Sequence, residues 1–298
     1  MKPILFAALL ACACGARAGV GVGVTVRDDT GRLVHLAAPA ARVVSLAPDL
    51  TELLFDVGAG DRVVGVIART DFPSAARALP RVGTEGSIDP EAVLALAPDL
   101  VLALPSAGDA RTLERLAALG IPVFRSEPRE LAGIARTLEV LGRLTGRVAG
   151  AAAAARAFRA RLARLERRYS GRAKVGVFYE VWDRPLMTVG ARDLITKVIR
   201  LCGGDNVFAA LPGLAPQLDR EMVLRADPEV IVTSGAEGKR GAWLEAWRAF
   251  PSLLAVRRDN LYFVPPELLQ RATPRILEGA RRLCEDLDAA RARRPAKK

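Results

Sequence analysis

The sequence predicts an α/β fold of two Rossmann-like lobes joined by a single long helix. Three observations carry that expectation. A helix-to-strand unit occurs twice, as DPEAVLALAPDLVLA at 89–103 and DREMVLRADPEVIVT at 219–233. Short apolar runs alternate with helical segments on both sides of the middle of the chain, the pattern of α/β layers with a largely parallel sheet. The middle itself, 131–169, is rich in Ala, Leu, Arg and Glu, with one interruption at Thr145-Gly146. The two copies of the repeated unit start 130 positions apart, far beyond the 20 to 50 or so of a solenoid repeat, so the repeat marks two similar lobes. At 298 residues and 51% hydrophobic, the chain can bury two cores of ordinary domain size.

The elements follow in order. Residues 1–18 begin with Lys2, run through about a dozen apolar positions and end Ala16-Arg17-Ala18, the form of a secretory signal peptide with an A-x-A cleavage site. Cys12 and Cys14 allow a second reading, lipid attachment. The N-terminal lobe is expected over 19–146. It starts with a hairpin at 24–36 about Asp28-Asp29-Thr30-Gly31, a strand at 42–46, a loop Ala47-Pro48-Asp49 and a helix at 50–57 stopped by Gly58. In the repeated units Asp89 and Asp219 are N-cap residues and Pro90 suits the first helical position. Glu91 and Glu221 fall in the first turn, where the helix dipole favours an anion. The apolar runs after Pro98 and Pro228 read as buried strands. The connecting helix is expected over 147–170, with a helical core of about 35 Å. The C-terminal lobe is expected over 171–290, opening with a strand at 174–179, and a basic tail over 291–298.

Charge and composition exclude several classes. The net charge is +11, or +9 once Lys2 and Arg17 leave with the signal. Arg291, Arg293, Arg294, Lys297 and Lys298 supply five of these charges in what reads as a solvated, frayed end. Export and the lack of a basic-aromatic motif argue against nucleic acid as a partner. His35 is the only histidine, which argues against a carrier of free metal ions and against a metal site. The glycine-rich stretches GVGVGV and VGAG lack the strand-loop-helix context of a dinucleotide fingerprint, and no G-x-S-x-G nucleophile motif occurs. Glu91 and Glu221 as an acid/base pair would lie on separate lobes. No catalytic residue and no cofactor are therefore expected, and an exported enzyme is the least favoured reading. Removing the signal leaves Cys202 and Cys284, either a disulfide in an oxidising compartment or two buried thiols.

The stretches RVVSLAPDLTELLFDVGAGDRVVGV, TDFP, LITKVIRLCGGDNVF, PQLDREMVL and RATPRILEGARRLCEDL resemble the periplasmic cobalamin-binding proteins. These serve ABC importers and belong to the helical-backbone (class III) substrate-binding proteins. The similarity runs over about 42–287. It implies a periplasmic monomer that captures cobalamin or a related corrinoid between its lobes and delivers it to a transmembrane permease. It also pairs Cys202 with Cys284. The matching loops contain Pro48, Asp49, Asp71, Phe72, Glu85, Gly86, Ser87, Tyr179, Trp182, Gln217, Glu267 and Arg271. Phe72, Tyr179 and Trp182 offer flat apolar faces to a macrocycle, and Asp71, Glu267 and Arg271 can bond its amide side chains. Arg271 is equally suited to a structural salt bridge. Better-known members place aromatics where this chain has Glu85, Leu104, Ala215 and Leu268. Either the corrinoid is gripped chiefly from the second lobe, or the ligand is another large chelate, haem or a ferric siderophore. In the resembling family, glutamates at the positions of Glu91 and Glu221 dock onto arginines of the permease.

Overall fold

The computed structural model describes residues 23–106, 109–235 and 240–295. The expected signal peptide with Cys12 and Cys14, and Lys297 and Lys298 of the tail, lie outside the described residues. Strands β1 (Val24–Arg27) and β2 (Leu33–Leu36) form an antiparallel hairpin. Then β3 (Val43–Ser45) leads into α1 (Pro48–Asp56), and β4 (Val63–Val66) precedes a small hairpin of β5 (Gly83–Thr84) and β6 (Ser87–Ile88). Helix α2 (Pro90–Ala95) feeds β7 (Leu100–Ala103), and α3 (Ala110–Ala118) feeds β8 (Val123–Arg125). The sheet is parallel, in the order β4-β3-β7-β8.

After α4 (Leu131–Thr145) and α5 (Val148–Tyr169) the scheme restarts. Strand β9 (Val175–Glu180), α6 (Leu194–Leu201), β10 (Gly204–Asn206) and α7 (Arg220–Ala226) lead to β11 (Val230–Thr233). Helices α8 (Arg240–Arg248) and α9 (Leu254–Arg257), strand β12 (Leu261–Phe263) and α10 (Ile276–Ala292) complete the chain. The second sheet is parallel in the order β10-β9-β11-β12. Each sheet thus places its second strand first, then its first, third and fourth. The repeated sequence builds the same part of each lobe, α2 into β7 and α7 into β11. Its caps form as expected: the Asp89 carboxylate accepts from the Ala92 N–H at 3.0 Å, and that of Asp219 from the Met222 N–H at 2.8 Å.

Gly146, at φ 72°, separates α4 from α5, a left-handed position that suits glycine. Helix α5 has 22 residues and is about 33 Å long. It buries Ala151, Ala155, Phe158 and Leu162. Small residues bring α4 and α5 close, since a Cβ on Gly142 would lie 2.2 Å from that of Ala151. One apolar cluster runs from Leu100 and Leu102 of β7 through Leu138 of α4 and Phe158 of α5 to Val177 of β9 and Leu283 of α10. The lobes therefore share a core along the connector.

Two expectations are corrected. Pro48 and Asp49 are the first turn of α1 rather than a loop, because proline at N1 gives up no needed N–H. The basic end is no frayed tail as far as Arg294. Leu283, Leu287 and Ala290 keep α10 buried to its last turn, and this seats the arginines on the lobe. Arg291 lies in α10 and donates to the Ala173 and Cys202 carbonyls at 2.7 Å each. Arg294 makes two bonds of 2.7 Å to Glu229.

Cys202, at the end of α6, and Cys284, in α10, form a disulfide across a separation of 82 residues. Closing a loop of that size restricts the unfolded chain by about 4 to 5 kcal/mol in the entropic account, an upper figure. The double variant Cys202→Ser, Cys284→Ser is expected to lose about 2 to 5 kcal/mol in urea unfolding, with binding retained where the fold persists.

Candidate functional site

In each sheet the chain order reverses between its first and third strands, so the switch points lie between β3 and β7 and between β9 and β11. Crevices outside the carboxyl ends of strands at such points are the usual ligand sites of open α/β sheets. The N-terminal lobe contributes Asp49 of α1, Leu104 after β7, and Glu127, Pro128 and Arg129 after β8. Facing them are Val181 after β9, Val189, Asp193 and the start of α6, Ala215, and the segment Leu269 to Ala272. Together they enclose a cleft of ≈ 200 Å³.

The cleft is spanned by charge. Arg271 of the C-terminal lobe donates through Nη1 to Glu52 Oε1 at 2.6 Å and lies 2.8 Å from Asp71 Oδ1. Arg275 Nη1 approaches Glu52 at 3.5 Å, and its guanidinium lies 4.2 Å from the centroid of the Phe72 ring. Glu52 is only 1% exposed. A carboxylate so far out of water needs paired, hydrogen-bonded cations, and the two arginines supply them from across the interface. A second inter-lobe ion pair joins Lys197 Nζ to Glu130 Oε1 at 2.5 Å.

These surroundings set the protonation of the wall. Burial pushes the Asp49 carboxyl up to about 6, against the lowering effect of the Leu50 N–H. Burial alone would raise Asp71, but the hydrogen bond and charge of Arg271 hold it below the ordinary carboxylate value. Asp193 is raised by burial, opposed by the Ile195 N–H and the charge of Arg129. Glu180, at the carboxyl end of β9, is raised to about 7 by burial, against the Trp247 Nε1–H that it accepts at 2.7 Å.

Comparison with known proteins fits this geometry. The family model described as periplasmic binding protein matches residues 43–268. The chain belongs to that family. The vitamin B12-binding protein of Vibrio parahaemolyticus is 34% identical over 257 residues, covering 86% of this chain and 92% of that one. A vitamin B12-binding protein of Yersinia pestis is 37% identical over 256 residues, covering 86% and 89%. The crystal structure of the periplasmic vitamin B12 binding protein BtuF of Vibrio cholerae superposes with a TM-score of 0.80 at 34% identity, over 85% of this chain and 98% of that one. The periplasmic heme-binding protein BhuT superposes at 0.75 with 23% identity, a likeness of fold.

Among the residues expected to face a ligand, this binding protein brings Asp49 and Arg271 to the cleft wall. Pro48 is buried at the start of α1. Tyr179 was expected to offer a ring face and does not, because its side chain is 0% exposed inside the C-terminal core. Phe72 is 41% exposed and carries Arg275 on its face. Asp71 is exposed, is not part of the cleft lining, and pairs with the wall residue Arg271. Glu85, Gly86 and Ser87 form the exposed tip of the β5–β6 hairpin. Gln217 is exposed and bridges to Met187, and Glu267 is the middle residue of a single 3-10 turn, Pro266–Leu268. Trp182 is half exposed and lines a separate groove beside the cleft. Glu91 and Glu221 project from the first turns of α2 and α7. Glu91 lies 3.8 Å from Arg115. Among the described residues no cluster of His, Cys, Asp or Glu could hold a metal. His35 meets Thr25 Oγ1 at 2.9 Å on the exposed hairpin.

Glu52, Arg129 and Asp193 escaped sequence reasoning. An acidic residue among the apolar positions of LTELLF was the readable signal for Glu52, and the Asp before LITK for Asp193.

Asp49 yields a pH test. Its native value is raised from 3.8 to about 6, so the protonated form favours the native state. That contribution is complete below 3.8 and is lost as pH rises to about 6. Asp49→Asn is expected to stabilise the protein on the order of 2 kcal/mol at pH 8 and to change little at pH 3.5. Urea unfolding at the two pH values checks it.

Proposed function

We propose that this chain is the periplasmic substrate-binding component of an ABC importer, and that it captures one cobalamin or related corrinoid between its lobes and delivers it to the membrane permease. The observation that carries the reading is a cleft at facing switch points, lined by apolar side chains and crossed by a charged fork, in a chain sharing 34% identity over most of its length with vitamin B12-binding relatives. The donors and acceptors of Arg271, Asp71 and Asp49 suit the amide arms of a corrinoid. A cleft of ≈ 200 Å³ is below the 300 to 1,000 Å³ or so of drug-sized sites. A macrocycle therefore enters only when Arg271 and Asp71 part, and Arg271 then exchanges a carboxylate for the ligand. Such a protein is a carrier, with no resident cofactor and no reaction of its own. It is exported by its first 18 residues and works as a monomer.

Calorimetric titration of the mature protein with cobalamin, cobinamide, haem and a ferric siderophore tests this. One-to-one binding of a corrinoid is expected, and Arg271→Gln is expected to weaken it about tenfold, the order of one charged hydrogen bond. Saturable binding of haem or a siderophore with no heat from either corrinoid would overturn it.

Delivery is assigned to Glu91 and Glu221, one on each lobe at equivalent helix starts. Both are exposed, and Glu221 shares the rim of a groove with Arg184 and Arg220. Glu91→Arg with Glu221→Arg is expected to leave cobinamide affinity within about twofold, since exposed charges away from the cleft contribute little, and to abolish stimulation of the importer's ATPase. A double variant that still stimulates it contradicts the docking role.

A further inference from the structure

The C-terminal lobe has a second crevice beside the cleft, and it carries indole rings, which the cleft wall lacks. Trp182 lies two residues beyond the end of β9. Trp243 of α8 packs on Gly235, two residues beyond the end of β11, where an added Cβ would lie 3.1 Å from the indole ring. The two indoles meet edge to face, with centroids 6.2 Å apart and an interplanar angle of 77°. With Asp183, Arg184, Arg220 and Ala242 they line a groove of ≈ 440 Å³. Trp182 is 50% exposed, yet its orientation is fixed, since Nε1–H donates to the Arg184 carbonyl at 2.9 Å. Asp183 lies 3.1 Å from Arg184 and 3.8 Å from Arg220, and Glu221 stands on the rim beside them. The trio of Asp183, Arg184 and Arg220 keeps one net positive charge, and among the described residues most of the guanidinium N–H groups have no acceptor.

A half-exposed indole held in one orientation beside two arginines suits a flat heterocycle linked to a phosphate. Val181 lines the cleft and Trp182 the groove. Consecutive residues thus face both spaces, and one elongated ligand can occupy both. We propose that this groove is a subsite for the nucleotide arm of the ligand, with the aromatic base against Trp182 and the phosphodiester on Arg184 and Arg220. The proposal rests on the corrinoid reading above and deepens it. The cleft takes the macrocycle, and the groove makes the protein selective for corrinoids that carry the base and phosphate.

Cobalamin carries that arm and cobinamide lacks it, so their comparison isolates the subsite. In calorimetric titrations of the mature protein, cobalamin is expected to bind at least about tenfold more tightly than cobinamide, the order of one stacked base. Trp182→Ala and, separately, Arg184→Gln are expected to remove most of that preference by weakening cobalamin alone. Unchanged cobinamide affinity shows that each variant is folded with its cleft intact. Equal affinities in the unmodified protein, or variants that weaken both corrinoids alike, overturn the subsite and leave the carrier reading standing. Binding of neither corrinoid removes both.

Discussion

Beside the cleft, the two lobes are tied by one buried carboxylate. Glu52 sits in α1 at 1% exposure, and its partners, Arg271 and Arg275, come from the opposite lobe. Removing one member of a buried ion pair typically costs 3 to 5 kcal/mol or so, because the other charge is left unpaired out of water. The arrangement of the cleft follows from that demand. To reach Glu52, the segment before α10 must cross toward α1, which places Leu269 to Ala272 on the cleft wall. The same crossing brings Arg271 onto Asp71 and Arg275 over Phe72. Arg271 is thereby held by both Glu52 and Asp71. Binding is expected to exchange a partner at Arg271.

That exchange has a stiff frame behind it. Helix α5 is packed against α4 by small residues and shares one core with both sheets. A Cβ on Gly150 would lie 2.5 Å from the Val57 carbonyl, so the start of α5 is pressed onto the loop after α1. The Cys202–Cys284 disulfide fixes α6, whose first residues line the cleft, to α10, which follows the Leu269 to Ala272 segment of the wall. A frame of this kind is expected to confine motion to the loops at the strand ends and to small shifts of one lobe against the other.

The repeated unit, its caps, the connector and the parallel alternation were legible in the sequence because they are local. Caps, helix periodicity and apolar strand runs are decided within a few residues. The cleft was legible only as a set of loops. Sequence position could not show that Tyr179 points into the core while Trp182, three residues on, stands half in solvent, since a strand ends between them and alternation stops with it. Nor could it show that Glu52 and Arg271, 219 residues apart, are partners. The arginines of the last turn were misread for a related reason: a run of charge looks solvated until the apolar face beneath it is known to continue.

Arg271 is expected to change partners when the cleft fills. A crystal structure of the mature protein with cobalamin tests that most directly. The corrin ring is expected between the start of α1 and the segment Leu269 to Ala272, with Arg271 bonded to a ligand amide and its contact to Asp71 broken. A bound corrinoid outside this cleft, or one inside it with the Arg271 to Asp71 contact unchanged, would contradict the account.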